Sequence, residues 1–138
     1  MKEFAFQILS PERIIYQGKV VSLVAPGLEG YLGVMADHAP LLAALTVGEV
    51  RITEAERKTF YFAVSGGLLE VDKGDVTLLA DAAEKAEEID AHRAEEAKAR
   101  AQSRLSRRTR EIDVTRAHAA LMRALNRLRV ASRANGAG

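Results

Sequence analysis

The chain has 138 residues, 48% of them hydrophobic, and a formal net charge of +1. It has no cysteine, which excludes disulfides, thiolate catalysis and cysteine-ligated zinc. No apolar run approaches the roughly 18 residues of a membrane-spanning helix, and the N-terminal residues lack the layout of a signal peptide. We therefore expect a soluble protein of a reducing compartment that associates with a membrane only through partners.

Residues 1–80 carry the pattern of short strands. Phe4, Phe6 and Ile8 alternate with less apolar residues, which is typical of a half-buried strand. Later apolar runs are separated by Pro26-Gly27, by Gly66-Gly67 and by the hairpin signal D-K-G-D at residues 72–75. We predict that each of these signals ends a strand, as in an antiparallel sandwich or barrel.

The pattern changes from strands to helices near residue 81. Asp81 and Glu84 have the spacing of a capping box, and no Gly or Pro follows until residue 136. We predict two helices, at about 84–105 and 111–132, that fold back on each other in an antiparallel arrangement. The charge changes too, because residues 84–138 hold 13 basic and 8 acidic residues whereas residues 1–83 hold 7 and 11. This asymmetry predicts two domains, 1–83 and 84–138, with different partners.

The predicted helices contain a repeat. Residues 89–105 and 112–128 are identical at nine of 17 positions, and each copy begins with I-D-x-x-R-A. At about 100° per residue, the identical positions share one side of a helix. The shared Ala and Leu positions predict the seam of the hairpin: Ala94, Ala97, Ala101, Leu105 and their counterparts in the second copy.

The shared arginines form a second stripe beside that seam. Packing through matching seams would place both arginine stripes on the same side of the hairpin, where side-by-side guanidinium groups favour a polyanion such as a phosphate chain. A simpler interpretation is that Asp90 and Arg93 form a solvated ion pair. No phosphate-binding P-loop is present. The predicted groove comprises Arg93, Arg100, Arg116, Arg123 and Arg127.

Several motifs, in this order and spacing, resemble one family. They are E-G-Y-L-G-V-M-A-D-H-A-P-L-L at residues 29–42, V-S-G-G-L-L-E-V at 64–71, V-T-L-L-A-D at 76–81, the two I-D-x-x-R-A copies and A-L-N-R-L at 124–128. Over essentially its whole length the chain resembles the epsilon subunit of bacterial F-type ATP synthases. The resemblance implies an α+β fold, with an N-terminal antiparallel β-sandwich of about ten strands followed by a C-terminal antiparallel two-helix hairpin.

The resemblance also implies a function. It suggests a non-catalytic rotor subunit in the central stalk of the proton-transporting synthase, at the cytoplasmic face of the bacterial inner membrane. The sandwich would bind the gamma subunit and the c-ring. The hairpin would inhibit ATP hydrolysis when it extends towards the catalytic alpha and beta subunits, and ATP would be a regulatory ligand of the compact hairpin; no other cofactor is expected.

Two sets of site residues follow from the resemblance. A loop that holds Tyr31 and His38 is expected to contact the rotor, although His38 could equally serve to order that loop. Three scattered histidines have no metal-ligand spacing, so no metal site is expected. The ATP-binding residues are expected to be Glu84, Ile89, Asp90, Arg93, Ala94, Arg100, Arg123 and Arg127.

Two other classes of function remain open. The basic run from Arg104 to Arg110 is typical of modules that bind nucleic acid, but residues 84–138 contain no aromatic side chain for stacking on bases. An enzyme is the least favoured alternative, because the sequence contains no nucleophile–base pair, metal cluster or phosphate cradle.

Overall fold

The computed structural model describes residues 2–107 and 111–134, apart from the side chains of residues 111 and 112. The chain divides into a first compact unit that ends at Lys85 and a second that begins at Ala86. The strands are β1 (Phe4–Leu9), β2 (Ile14–Val20), β3 (Ser22–Gly27), β4 (Gly30–Met35), β5 (Leu41–Thr53), β6 (Thr59–Asp72), β7 (Asp75–Ala80) and β8 (Ala83–Lys85). The helices are α1 (Ala91–Arg107) and α2 (Glu111–Arg133), and short 3₁₀ turns lie at Ala55–Arg57 and Ala86–Glu88.

The strands of the first unit form one sheet that folds into a sandwich. The strand order is β2-β1-β7-β6-β5-β3-β4, and β8 pairs with β6. Neighbouring strands are antiparallel except β1 and β7, which are parallel with Phe6 opposite Val76. The predicted sandwich is confirmed, while the prediction of a wholly antiparallel sheet is wrong for this pair. The described residues contain eight strands instead of about ten.

Gly66-Gly67 bends a strand that the sequence pattern predicts to end there. β6 continues through both glycines, with φ of 101° and 143°. A Cβ atom on Gly67 would lie 2.1 Å from the carbonyl oxygen of Leu79, so a side chain cannot fit there. Before the bend Phe62 faces the core, and beyond it Leu69 does so, so the face that β6 turns inwards changes at the bend.

The core of the first unit is continuous, and the half-buried Tyr16 packs against two of its buried phenylalanines. The Tyr16 ring lies 6.0 Å from that of Phe6 and 5.8 Å from that of Phe62. Its hydroxyl donates a hydrogen bond of 2.5 Å to Glu54, which ties β2 to the turn after β5. Burial, together with the neighbouring carboxylate, raises the pKa of the Tyr16 phenol well above its usual range. This bond therefore fixes the end of the long β5–β6 hairpin.

The second unit is the predicted two-helix hairpin, but its first helix begins later than expected. Residues 83–85 pair with β6 instead of forming a helical turn, with Glu84 opposite Ala63. The capping box predicted at Asp81 and Glu84 is therefore wrong, because pairing with the sheet overrides the helix propensity of this segment. α1 starts at Ala91. None of the described helices is long and apolar enough to cross a membrane.

Small residues lie at the predicted seam between α1 and α2, which pack against each other. The most buried of them repeat at intervals of seven residues, or two helical turns, as expected for one face of each helix. Ala97 and Leu105, also predicted for the seam, are half-buried. The four fully buried alanines are Ala94, Ala101, Ala117 and Ala124.

Candidate functional site

Asp90 lies immediately before α1 and caps it. Its Oδ1 accepts a hydrogen bond of 3.1 Å from the backbone N–H of Arg93, and its carbonyl oxygen accepts one of 3.0 Å from the backbone N–H of Ala94. These are the two bonds of a helix N-cap. The carboxylate also places negative charge at the positive end of the helix dipole. Asp90 thus fixes where the helix begins and the direction in which Arg93 leaves the backbone.

The second copy of I-D-x-x-R-A adopts a different conformation. α2 begins at Glu111, so Asp113 lies inside its first turn and is exposed. The same motif is a cap in one helix and a helical turn in the other. The symmetry predicted from the repeat therefore holds for the buried alanines but not for the two aspartates.

Four of the predicted arginines are exposed on the helices. Arg93 and Arg100 are seven residues apart on α1, and Arg116 and Arg123 are seven apart on α2, so each pair shares one side of its helix. Among the side chains that the structure describes, which exclude that of Glu111, none of these four arginines has a carboxylate partner. Four unpaired cations on two adjacent helices form a favourable surface for an anion.

The other predicted ATP-binding residues have different environments. Ile89 and Ala94 are buried, so their side chains belong to the packing of the second unit. Arg127 is half-buried and already interacts with another residue. Glu84 lies in β8 of the first unit. Of the residues predicted for the ATP site or the arginine groove, the exposed charged ones are therefore Asp90 and the four exposed arginines.

Asn126 is a buried polar residue that the sequence analysis did not identify. Only 2% of its surface is exposed, and its Oδ1 accepts a hydrogen bond of 3.3 Å from Nη2 of Arg129. Asn126 lies about 200° around α2 from Ala124. The C-terminal half of α2 is thus buried on two sides, consistent with its packing against both α1 and the Ala86–Glu88 turn. Asn126 lies one helical turn from the buried Val130, and this spacing is the sequence signal that could have predicted its burial.

Tyr31 and His38 do not share a loop, contrary to expectation. Tyr31 is the second residue of β4 and His38 lies three residues beyond the end of that strand, so roughly 13 Å of strand lies between Tyr31 and the turn that holds His38. The Tyr31 hydroxyl accepts a hydrogen bond of 3.0 Å from the backbone N–H of Glu49, while 58% of the residue remains exposed. Its phenol is therefore held over β5 and still presents one face to solvent.

His38 orders the turn that follows β4. Its Nδ1 donates a hydrogen bond of 2.6 Å to the carbonyl oxygen of Ala39, and its backbone N–H donates to Met35 at 3.2 Å. The bond to a carbonyl requires the proton on Nδ1 and leaves Nε2 of a neutral ring as an acceptor. In the part of the chain that the structure describes, no group of three His, Asp or Glu side chains is placed to hold a metal ion.

Two family models match the chain in succession. The model of the ATP synthase delta/epsilon chain β-sandwich domain matches residues 3–86, and that of the delta/epsilon chain long α-helix domain matches residues 87–132. The first match ends and the second begins within two residues of the boundary between the two compact units.

Several relatives named ATP synthase epsilon chain align with this chain over most of its length and of their own. The ATP synthase epsilon chain of Pelotomaculum thermopropionicum is 51% identical over 103 residues, which are 75% of this chain and 76% of the relative. That of Moorella thermoacetica is 46% identical over 108 residues, or 78% and 81% of the two chains. A chain in the cryo-EM structure of the Euglena gracilis mitochondrial ATP synthase (OSCP/F1/c-ring) has a similar fold, with a TM-score of 0.77 at 24% identity, covering 87% of this chain and 76% of that one.

Proposed function

The chain belongs to the ATP synthase delta/epsilon family, and we propose that it is a non-catalytic central-stalk subunit that couples rotation to ATP synthesis. The observation that carries this proposal is the match of both family domains, in order, over residues 3–132. The sandwich binds the gamma subunit and rests on the c-ring. The protein is then peripheral at the cytoplasmic face of the membrane, to which it is attached through the complex.

The hairpin has the regulatory role in this proposal. In the compact state its alanine seam is closed and the exposed arginines of α1 and α2 are available to the phosphates of ATP. In an extended state the same arginines face acidic surfaces of the alpha and beta subunits and inhibit ATP hydrolysis. A ligand shifts such an equilibrium only if it binds one state better, and competition for the same cations supplies that difference.

The division of labour can be tested by removing the hairpin. A variant that lacks residues 86–138 keeps β8 and the whole core of the first unit. It should still co-purify with the gamma subunit, and ATP hydrolysis by the assembled complex should rise. A full-length chain that does not bind gamma would contradict the rotor assignment, whereas unchanged hydrolysis would contradict only the regulatory role.

Calorimetry with ATP tests the arginine surface separately. Arg93→Ala and Arg100→Ala should each weaken binding, because each removes an exposed cation from the proposed site. Lys98→Ala is the matched control, since Lys98 lies about 160° around α1 from Arg100. If both arginine variants bind ATP as the unmodified chain does, the site lies elsewhere.

A further inference from the structure

The ends of the two helices and the alanine seam define the same alignment of the hairpin. The connection between α1 and α2 is short, so residues at equal distances from it lie level in the antiparallel pair. Ala101 and Ala117 are each six residues from their helix end, and Ala94 and Ala124 are each thirteen. All four are buried. Each alanine of α1 therefore lies level with an alanine of α2.

The arginines beside this seam project from one side of the hairpin. An arginine precedes each seam alanine and lies about 100° around the helix from it. Because the helices run in opposite directions, the same offset on both turns these side chains to the same side. Arg104 and Arg127, each three residues after a seam alanine, lie about 60° from the seam on that side. The six residues of this arginine face are Arg93, Arg100, Arg104, Arg116, Arg123 and Arg127.

The arginine face divides into two clusters of three. At 1.5 Å per residue, the members of each cluster lie within roughly 6 Å of one another along the helix axis. The repeat relates the clusters, because an offset of 23 residues carries every arginine of α1 in the face onto one of α2 in the other cluster. The cluster centres are about nine residues apart, or roughly 14 Å. The first cluster is Arg93, Arg123 and Arg127, and the second is Arg100, Arg104 and Arg116.

The second cluster is the more available to a ligand. All three of its arginines are exposed, and none has a carboxylate partner among the side chains that the structure describes. In the first cluster Arg127 is half-buried and already interacts with another residue. A triphosphate is shorter than the interval between the cluster centres, so it cannot contact every arginine at once. The arginine face is therefore longer than ATP requires.

We propose that the arginine face binds linear inorganic polyphosphate, in chains long enough to contact both clusters. Guanidinium groups bind phosphate oxygens through bidentate, charge-assisted hydrogen bonds. Once one cluster holds the chain, contact with the other is intramolecular, which raises the affinity. Residues 84–138 contain no aromatic side chain on which bases could stack, which favours a chain of phosphates alone over nucleic acid. The inference rests on the proposed function to the extent that both assign phosphate chains to the same arginines.

The first test compares ligands of different length on the unmodified, full-length chain. Calorimetry with medium-chain inorganic polyphosphate, sodium tripolyphosphate and ATP measures the dissociation constant of each. Polyphosphate should bind at least about tenfold more tightly, per mole of chain, than tripolyphosphate. Its affinity should also fall more steeply with salt concentration, because a longer polyanion releases more counterions. Equal affinity for polyphosphate and tripolyphosphate would overturn the inference.

The second test removes arginines from the second cluster. Arg104→Ala and Arg116→Ala should each weaken polyphosphate binding about tenfold, since each removes a charge-assisted contact. Arg104 lies outside the proposed ATP site, so Arg104→Ala should change tripolyphosphate binding less than about twofold. Alanine is the best helix former, so these exposed positions tolerate it. The matched control is Lys98→Ala, about 60° from the seam on the opposite side, which should leave the binding of both ligands unchanged.

The outcomes separate this inference from the proposed function. If ATP does not bind but polyphosphate behaves as expected, the role of ATP is wrong and the arginine face still binds polyphosphate. If ATP binds but Arg104→Ala and Arg116→Ala leave polyphosphate binding unchanged, the inference is wrong and the ATP site stands. A single-stranded oligothymidylate of equal charge is the last probe. If it binds as tightly as polyphosphate, the face does not select phosphate chains and the inference is overturned.

Discussion

Replacing Asp90 by alanine should loosen the start of α1. The change removes the side-chain acceptor of the Arg93 N–H and the negative charge at the helix N-terminus. Loss of an N-cap costs about 1 kcal/mol, and an exposed charge near the dipole adds about 0.3 kcal/mol or slightly more. Together these amount to about 1.4 kcal/mol, which corresponds to roughly tenfold in an opening equilibrium. Hydrogen exchange of the backbone amides in the first two turns of α1 measures this change directly.

The repeat provides the matched control for this prediction. Asp113→Ala removes the corresponding aspartate from α2, where it is not the residue that precedes the helix. It should cost only the few tenths of a kcal/mol of the dipole term. Asp90→Asn should retain most of the cap, because asparagine is as good an N-cap as aspartate. Equal acceleration of exchange in the two alanine variants, each measured at its own helix, would refute the assignment of Asp90 as the cap.

Three further changes test the packing of the two units. Gly67→Ala should lower the free energy of unfolding, measured by urea titration, by more than about 3 kcal/mol, because its Cβ would meet a backbone carbonyl at 2.1 Å. Gly74 has open space around it, so Gly74→Ala should cost only about 1 kcal/mol. Tyr16→Phe should cost about 1–2 kcal/mol at pH 7. The pKa of this phenol is raised in the folded state. The difference in unfolding free energy between the unmodified protein and Tyr16→Phe should therefore shrink as the pH rises above about 10, where the unfolded tyrosine ionises. A pH-independent difference in thermal stability between the two proteins would contradict this. Ala101→Leu should destabilise the hairpin by about 1–3 kcal/mol through overpacking, as measured by hydrogen exchange of the α1 amides. Ala99 is exposed, so Ala99→Leu should be nearly neutral in the same hydrogen-exchange experiment.

The sequence predicted the general architecture because burial is periodic in both units. Alternation at Phe4, Phe6 and Ile8 identified a strand, and all three are buried. The errors lie where long-range contacts override local signals. The glycine pair at 66–67 is a bend because the β5–β6 ladder continues past it, and residues 83–85 pair with β6 despite their helix-forming composition. The parallel alignment of β1 with β7 has no local signal at all.

The candidate site was predicted only in part for a similar reason. Helical periodicity placed Arg93 and Arg100 on one side of α1, and both are exposed. It could not distinguish Asp90 from Asp113, because the same six-residue motif gives no information about which copy begins a helix. Asn126 was missed because its burial depends on a second contact of α2, with the Ala86–Glu88 turn, which the seam pattern does not reveal.

The alanine seam limits the free energy that holds the two helices of the hairpin together. Each buried alanine removes little more than one methyl group from water, worth about 0.8 kcal/mol, so the four together supply about 3 kcal/mol. A ligand present at a hundred times its dissociation constant supplies about 2.7 kcal/mol. A leucine seam would exceed that amount several-fold and would remain closed at any physiological ligand concentration. Under the proposed function, a seam of methyl groups would keep the compact and extended states close enough in free energy for ATP bound at one site to shift the equilibrium between them.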